Sequence, residues 1–387
     1  MRIRRVTGEA QSAIPIHLRN MPKREQFLPA DHRLICLPGV PSVTIHNPFP
    51  IRVHTDEWKA EDHVREWVRR FRLVTTDAAA AHFDQAEFGR FAARIKPDAI
   101  DIRTIAEWVS WLFLVDDQFD DAGDPASQAQ AVDRFVAELR AVLPVDLGPT
   151  PVPTCPGTAA AADMWPHTAP PMSRSWRIRF IDHICDYIDL YREEIAYQRY
   201  TTPPTADEYI PYRRVIGAAD PTFDLIEVAE EFSLDPAVFD SDIYQQMRLA
   251  GNDIACWTND ILSLAKESAR GDLNNLVAVL QHQDKLSLEQ ALNKTAAMIN
   301  QRVSTYVRLR DEFTNSFHGF KLPATDWHKT VSAAHGLGTW VAGSLDWHLL
   351  SGRYTHIEHT EPGQHPSYFE PVTQPVPQRN HPTAIPA

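Results

Sequence analysis

The stretch WLFLVDDQFDD at 111–121 decides the fold, because it joins an apolar helix to a dense group of charges. Five apolar residues run directly into four carboxylates within six positions. On a helix, Asp116 and Asp120 lie one turn apart on the same face, with Asp117 beside them. Clustered carboxylates at a buried helix end repel one another and lose hydration, and a bound hard cation such as Mg²⁺ relieves both effects. The alternative is a solvated acidic helix end before a turn at 123–125.

The surrounding sequence is helical over most of its length. Asp101–Asp120 is apolar on nearly all sides, which is typical of a central helix. Pro221 predicts a kink or break in another helix. We find no internal repeat and no alternating strand pattern, so the sequence predicts an all-α, single-domain protein. Apolar periodicity predicts the other helices at 56–73, 78–95, 127–143, 173–200, from 207 onward, and at 241–269, 287–312 and 325–350.

Proline-rich segments flank and interrupt these helices. Residues 1–55 are expected to form an N-terminal strap, because their prolines forbid a long helix. Residues 144–171 contain eight prolines and are expected to form a poorly ordered surface loop or insertion. The tail, 356–387, is also proline-rich and expected to be disordered or draped over the surface. Residues 56–355 then form the single helical domain.

The composition excludes several classes of partner and location. A net charge of −13 argues against a nucleic-acid partner. No stretch approaches 18 apolar residues, so we expect no membrane span. The scattered cysteines have no metal-binding spacing and, with no evident secretory signal, indicate a reduced, cytoplasmic protein. Ten tryptophans and 43% hydrophobic residues indicate a large, aromatic-rich core.

A second polar pattern lies on the helix predicted after Ser241. Asn259, Ser263 and Glu267 are spaced at i, i+4 and i+8, so at about 100° per residue they fall within roughly 80° of one another. An amide oxygen, a hydroxyl and a carboxylate on consecutive turns can serve one divalent cation. The alternative is a polar stripe that faces solvent. The earlier Asn252 lacks the pattern, since a cysteine stands four residues after it.

These two groups of oxygen ligands resemble the two metal-binding motifs of bacterial-type class I terpene synthases. The aspartate-rich motif of that family matches DDQFD at 116–120, and its Asn-Asp-x-x-Ser-x-x-x-Glu motif matches NDILSLAKE at 259–267. Lys266 stands at the frequent basic position before the glutamate. The resemblance implies an all-α helical bundle with a central apolar cavity.

The family's diphosphate-sensing arginine matches Arg213, which stands 46 residues before Asn259. Its linker and effector positions then match Ile216 and Gly217. From the residues alone, Arg213 and Arg214 could instead be an ordinary surface pair. The following glycine favours Arg213 as the inward-pointing arginine.

The pair of residues that reaches over the diphosphate in the family matches Arg353-Tyr354. A cation at this position could also simply stabilise the C-terminus of a helix. Phe113 and Trp347 are candidate walls of the cavity, although aromatic residues on long helices are as often part of the core.

The resemblance implies an enzyme that ionises a linear isoprenyl diphosphate and cyclises the carbocation. Three Mg²⁺ ions would be held by the two motifs, with Asp116, Asp117, Asp120, Asn259, Ser263 and Glu267 as metal ligands. Further donors to the diphosphate would be Arg213, Lys266, Arg353 and Tyr354. Aromatic rings can stabilise a carbocation by about 0.5–2 kcal/mol each.

Four questions stay open at this point. Farnesyl diphosphate, which would give a sesquiterpene, leads as the substrate, and geranylgeranyl diphosphate is the alternative. A chain-elongating prenyl diphosphate synthase is less favoured, because such enzymes carry two aspartate-rich motifs and this chain has one. A non-catalytic helical isoprenoid-binding protein is disfavoured because no metal ligand is missing. A homodimer is compatible with the family, but the sequence does not show it.

Overall fold

Helices account for nearly all regular structure in this computed structural model, which describes residues 32–35, 41–120, 125–192, 203–270, 273–355 and 373. Within those ranges the helices, in chain order, are α1 (Glu57–Arg70), α2 (Asp77–Ala86), α3 (Phe88–Ile95), α4 (Ile102–Asp120), α5 (Pro125–Val142), α6 (Pro156–Thr168), α7 (Arg174–Asp189), α8 (Ala206–Ile216), α9 (Ala219–Ala229), α10 (Pro236–Phe239), α11 (Asp242–Arg270), α12 (Leu276–Gln283), α13 (Leu288–Thr314), α14 (Phe317–Phe320), α15 (Ala324–Leu350) and α16 (Gly352–Thr355). The predicted all-α fold is confirmed. No described helix is long and apolar enough to cross a membrane.

Helix α4 runs through the centre of the bundle, as its apolar sequence predicted. Every residue from 104 to 115 is buried except Phe113, which is half-buried. The indole nitrogens of Trp108 and Trp111 are satisfied by Thr168 Oγ1 and the Gly157 carbonyl, over 2.9 and 2.8 Å. Buried polar groups without partners are costly, so these two bonds also fix α4 against α6.

The prediction of a loop over 144–171 was wrong for the segment that forms α6. Pro156 occupies the first turn of that helix, where its missing N–H group is not needed. The next proline is Pro166, so an alanine-rich stretch between the two can coil without a break. One face of α6 is buried, including Met164 and Trp165. Residues 144–155 contain no helix or strand.

Glycines bring α3 into backbone contact with two neighbouring helices. A Cβ atom on Gly343 of α15 would lie 2.3 Å from the carbonyl oxygen of Arg94 on α3. A Cβ atom on Gly89 of α3 would lie 2.4 Å from the Cα atom of Glu61 on α1. No side chain fits at either crossing, so these helices form one closely packed layer.

The chain breaks between α8 and α9, as Pro221 led us to expect. The break itself lies at Gly217-Ala218, just before the proline. Gly217 has an ordinary φ of −74°, whereas Ala218 has a φ of +50°. The left-handed conformation costs an alanine about 1–2 kcal/mol. The break is therefore held in place by the packing around it.

A short hairpin stands where the sequence predicted only a strap. Strands β1 (His32–Ile35) and β2 (Val43–His46) pair in antiparallel register. The side-chain amide of Asn300 on α13 accepts a hydrogen bond from the His46 N–H group and donates one to the Thr44 carbonyl, over 2.7 and 3.3 Å. Four-residue strands give too short a pattern to be recognised from sequence. The predicted tail, 356–387, lies outside the described residues apart from residue 373.

Candidate active site

The C-terminal end of α4 meets two tyrosines from α7 and its continuation. The Tyr187 hydroxyl donates to Asp116 Oδ1 over 3.0 Å, and the Tyr191 hydroxyl donates to the same oxygen at closer range. The two hydroxyl oxygens are 2.9 Å apart. Burial and the neighbouring Asp117 raise the pKa of Asp116, and the two phenols oppose that shift.

Asp117 is paired with the arginine of the C-terminal motif. Arg353 donates from Nη1 and Nη2 to the two carboxylate oxygens of Asp117, over 2.8 and 2.7 Å. Burial alone would raise the pKa of Asp117, but the Arg353 guanidinium dominates and lowers it to about 2, with a smaller contribution from Lys266. The bidentate pair connects α16 to α4 across the opening of the site.

The three predicted ligands on α11 line the same cavity as Asp116. Asn259 and Ser263 stand on successive turns, and Ser263 Oγ donates back to the Asn259 carbonyl over 2.8 Å. Glu267 Oε2 accepts a hydrogen bond from Asn275 over 2.8 Å. The alternative of a solvent-facing stripe is excluded, since Ser263 is buried and the other two are at most half-exposed.

Arg213 lies at the last turn of α8, aimed at α11. Helix α8 starts with a Thr205–Glu208 capping box, a device worth about 1 kcal/mol. Arg213 donates to Asp260 over 2.8 Å and to the Asn259 amide oxygen over 2.7 Å. Burial disfavours the charge, but the Asp260 carboxylate outweighs it and raises the pKa of Arg213 well above its usual value.

The neighbouring Arg214 points away from this cavity. Its guanidinium holds both carboxylate oxygens of the fully buried Asp253, over 2.7 and 3.0 Å. Arg302 of α13 contacts the same carboxylate over 2.8 Å. The sequence-based preference for Arg213 as the inward-pointing arginine therefore agrees with the geometry.

His348 on α15 fixes the orientation of the Asn259 amide. The Ser344 carbonyl lies 2.7 Å from His348 Nδ1 and can only accept, so Nδ1 carries the proton. Nε2 is then an acceptor and receives a hydrogen bond from Asn259 Nδ2 over 3.0 Å. The same amide nitrogen donates to the Tyr354 hydroxyl over 3.2 Å. Burial lowers the pKa of His348 to about 4, which keeps the ring neutral.

Behind this polar opening lies a cavity of about 180 Å³. One water needs roughly 10–15 Å³ of such space, so the cavity accommodates a much larger molecule. Apolar side chains of α3, α4, α8 and α15 form its inner part, namely Phe91, Val109, Leu112, Phe113, Ile216 and Trp340. The guanidinium of Arg353 lies 5.1 Å from the centroid of the Phe113 ring, where the polar and aromatic parts meet.

The structure brings most of the predicted site residues together. Asp116, Arg213, Gly217, Asn259, Ser263, Lys266, Glu267, Arg353, Tyr354 and Phe113 all line this cavity. Asp117 is held at its opening by Arg353. Asp120 is the last residue of α4, and its side chain lies outside the described residues. Trp347 was wrongly predicted as a cavity wall: it is fully buried, stacks on Phe91 with ring centroids 4.3 Å apart and donates to the Ala86 carbonyl.

The sequence did not reveal four residues that the structure places at the site. Trp340 lies two turns before Trp347 on the same helix and takes the predicted place in the wall. Tyr187, Tyr191 and His348 contact predicted ligands, but they do so across helix interfaces. The spacing of Tyr187 and Tyr191, i and i+4 with paired hydroxyls, was the one local signal available.

The donor atoms suit a hard divalent cation. Among the described residues, no three His, Cys, Asp or Glu side chains are placed to hold a metal ion. The α11 stripe adds the amide oxygen of Asn259 and the hydroxyl of Ser263 to the Glu267 carboxylate, all at the same cavity. Such all-oxygen sets favour Mg²⁺ over softer metals.

The all-helical bundle, the acidic end of α4, the polar stripe of α11 and the apolar cavity between them define a class I terpene synthase. Residues 107–305 match the sequence profile of terpene synthase family 2, C-terminal metal binding. The chain belongs to this family.

Individual relatives agree with that assignment. The chain is 31% identical to pentalenene synthase from Streptomyces avermitilis, over 81% of this chain and 93% of the relative. It is 32% identical to a (2E,6E)-farnesyl diphosphate-cyclizing (+)-T-muurolol synthase from Roseiflexus castenholzii, over 74% and 86%. The crystal structure of α-eudesmol synthase shares the fold, with a TM-score of 0.72 at 24% identity over 79% of this chain and 99% of the other. The chain is accordingly a terpene cyclase, an enzyme that acts on isoprenyl diphosphates.

Proposed function

We propose that this terpene cyclase depends on Mg²⁺ and ionises farnesyl diphosphate, giving a sesquiterpene. The observation that carries the proposal is the polarity of the cavity. Oxygen donors and cations from α4, α8, α11 and α16 surround one end, and aromatic rings surround the other. That arrangement complements a molecule with a diphosphate at one end and a hydrocarbon chain at the other.

The two motifs would hold the metal from opposite sides of the opening. The ligands are Asp116, Asp117, Asp120, Asn259, Ser263 and Glu267, and we propose three ions. When bound, the ions supply positive charge that neutralises the diphosphate as a leaving group.

The chain's own cations and hydroxyl complete the diphosphate site. Arg213, Lys266, Arg353 and Tyr354 would donate charge-assisted hydrogen bonds to diphosphate oxygens, which gain charge as the allylic C–O bond breaks. Arg213 already donates to Asn259, and Arg353 to Asp117. Both guanidinium groups are therefore close enough to the proposed metal ligands to contact a diphosphate bound there. Gly217 would let the turn after α8 approach the substrate closely.

The aromatic end of the cavity would hold the hydrocarbon and exclude water. Phe91, Phe113 and Trp340 present rings to the enclosed space, and each ring can stabilise a nearby carbocation by about 0.5–2 kcal/mol. Closure of α16 over the opening would keep water from the cation until the last step.

Farnesyl diphosphate is favoured over geranylgeranyl diphosphate by the relatives, one of which is named for cyclising it. We further propose that the protein is cytoplasmic, since the three described cysteines are free and buried. The division into a strap (1–55), a catalytic domain (56–355) and a tail (356–387) is part of the proposal, as is a homodimer, which sedimentation equilibrium would detect.

The test is incubation of the full chain with C10, C15, C20 and C25 prenyl diphosphates, with Mg²⁺ or with EDTA, followed by gas chromatography and mass spectrometry. We expect the highest kcat/KM with the C15 substrate, a cyclic product and no turnover in EDTA. A preference for the C20 substrate would replace the sesquiterpene assignment, and turnover in EDTA would contradict the metal assignment.

A matched pair of variants tests the site itself. Asn259→Ala removes a proposed ligand and should lower kcat/KM by at least about 100-fold. Asn252→Ala removes the same side chain from α11, where its amide donates to the Arg214 carbonyl outside the cavity. We expect that control to change the melting temperature and to retain turnover; equal losses in both variants would contradict the assignment.

A further inference from the structure

Two tyrosines hold the aspartate at the end of α4 by only one of its oxygens. Tyr187 and Tyr191 both contact Asp116 Oδ1. The other oxygen, Oδ2, has no hydrogen-bond donor among the described residues, and lies 3.9 Å from Arg353 Nη2. Asp116 also lines the cavity. The carboxylate is thus fixed on one side and available on the other.

Both phenols act on the same oxygen of Asp116. The Tyr187 hydroxyl donates to Oδ1 over 3.0 Å, and the Tyr191 hydroxyl donates to the same oxygen. The two hydroxyl oxygens are 2.9 Å apart, so the three side chains form one hydrogen-bonded cluster.

The partners of Asp116 and Asp117 differ in charge. Asp117 is held by Arg353, a cation that a bound diphosphate would attract away from it. Asp116 is held by neutral phenols with fully buried rings. A diphosphate attracts these phenols far less than it attracts the Arg353 guanidinium. The orientation of Asp116 therefore does not depend on where Arg353 binds.

We propose that Tyr187 and Tyr191 are positioning residues that hold Asp116 by Oδ1 and present Oδ2 to a divalent cation bound with diphosphate. This inference rests on the proposed function, in which Asp116 is a metal ligand. Partners that orient a metal ligand typically contribute 10- to 100-fold to metal affinity. They lose no hydrogen bond when the cation binds, since Oδ1 stays with the phenols and Oδ2 takes the cation.

The experiment measures Mg²⁺ binding to the full chain by titration calorimetry in saturating inorganic diphosphate, together with the Mg²⁺ concentration at half-maximal turnover. Each single variant, Tyr187→Phe or Tyr191→Phe, should raise the Mg²⁺ dissociation constant and the Mg²⁺ concentration at half-maximal turnover by roughly 10-fold, and the double variant should raise them further. At saturating Mg²⁺, kcat of Tyr191→Phe should return close to that of the wild type, because Tyr191 does not line the cavity.

Tyr306→Phe is the matched control. Its hydroxyl is equally buried, donates to the Ala334 carbonyl over 2.6 Å and accepts from the Gly338 N–H group, away from the cavity. We expect a lower melting temperature with unchanged Mg²⁺ dependence. If the double variant does not fold, the single variants carry the test.

The outcomes separate the two levels of the hypothesis. Wild-type protein that shows no diphosphate-dependent Mg²⁺ binding would contradict the proposed function. Wild-type protein that binds Mg²⁺, with single variants that bind it equally within about twofold, would overturn the positioning role alone, since 10-fold is the low end for such partners.

Discussion

The guanidinium of Arg213 occupies the amide oxygen of Asn259, with 2.7 Å between Nη2 and Oδ1. That oxygen is the atom we propose as a metal ligand. The Asn259 amide cannot turn over to point its nitrogen at this position, because that nitrogen donates to His348 and Tyr354. Arg213 and a divalent cation therefore compete for one atom, and a diphosphate that attracts Arg213 would release it.

Removing this competitor should have opposite effects on metal binding and on turnover. In Arg213→Met, we expect tighter Mg²⁺ binding without diphosphate, measured by calorimetry, because Oδ1 of Asn259 is free. We also expect kcat/KM to fall at least about 100-fold, because a donor to the leaving group is lost. Weaker Mg²⁺ binding would contradict the competition. Arg214→Met, which removes a partner of Asp253 instead, should lower the melting temperature and leave Mg²⁺ binding unchanged.

Gly217 is required for close packing rather than for an unusual backbone angle. A Cβ atom there would lie 2.3 Å from Cys256 Sγ and 3.0 Å from two atoms of Arg213. Gly217→Ala should therefore displace Arg213 and strongly reduce turnover. Removing the sulfur in Gly217→Ala/Cys256→Ala should restore part of the activity, measured as kcat/KM with farnesyl diphosphate. An inactive double variant beside a fully active Cys256→Ala control would show that sulfur contact is not the cause.

A side chain added at the contact between α3 and α15 should lower the stability of the fold. Gly343→Ala places a methyl group against the backbone of Arg94. Unlike a side chain, this backbone cannot relieve the clash by changing rotamer. We expect a loss of about 1–3 kcal/mol in the free energy of unfolding, measured by denaturant titration. Gly148→Ala is the control, since nothing lies within 4 Å of its added Cβ atom. Equal stability of the two variants would contradict the close approach.

A buried ion pair should make stability depend on pH. His183 Nδ1 lies 2.6 Å from Asp224 Oδ2. Burial opposes the charged ring, but Asp224 outweighs burial, so the pKa of His183 is raised. A raised pKa contributes stability that is complete below the unfolded value and is lost as pH rises through the folded value.

The measurement is the melting temperature of wild type and His183→Gln from pH 5.5 to 9. The advantage of the wild type should be largest near pH 6 and decline above it. Comparing the two proteins at each pH cancels the titration of other groups, such as Lys96, whose pKa burial lowers to about 7. A difference that does not change with pH would show that the ring is not charged in the fold.

Patterns within one helix were predictable from the sequence. The stripe of Asn259, Ser263 and Glu267 follows from helical geometry alone, and most of α4 is buried because it is apolar on nearly all sides. The break after α8 was also predicted, since Pro221 cannot extend a helix from the residues before it.

Contacts across helix interfaces were not predictable. Trp340 and Trp347 lie two turns apart on α15 and both contact Phe91, but of the two only Trp340 borders the cavity. The hydroxyls of Tyr187 and Tyr191 and the imidazole of His348 reach their partners through tertiary packing. The number of prolines also led to the wrong prediction of a loop where α6 forms. One proline lies in the first turn of this helix and one near its end, so a helix can form between them.

The glycine contact between α15 and α3 divides the catalytic cavity into a fixed and an adjustable part. Phe91 and Trp340, one on each helix, have ring centroids 6.0 Å apart, and the close backbones of Gly343 and Arg94 fix the two helices that carry these rings. The fold of the hydrocarbon would then be set by a rigid template, whereas the timing of ionisation would be set by the arginines at the opening. We therefore expect substitutions of the two rings to change which terpene is made, and substitutions of the arginines to change only how fast it is made.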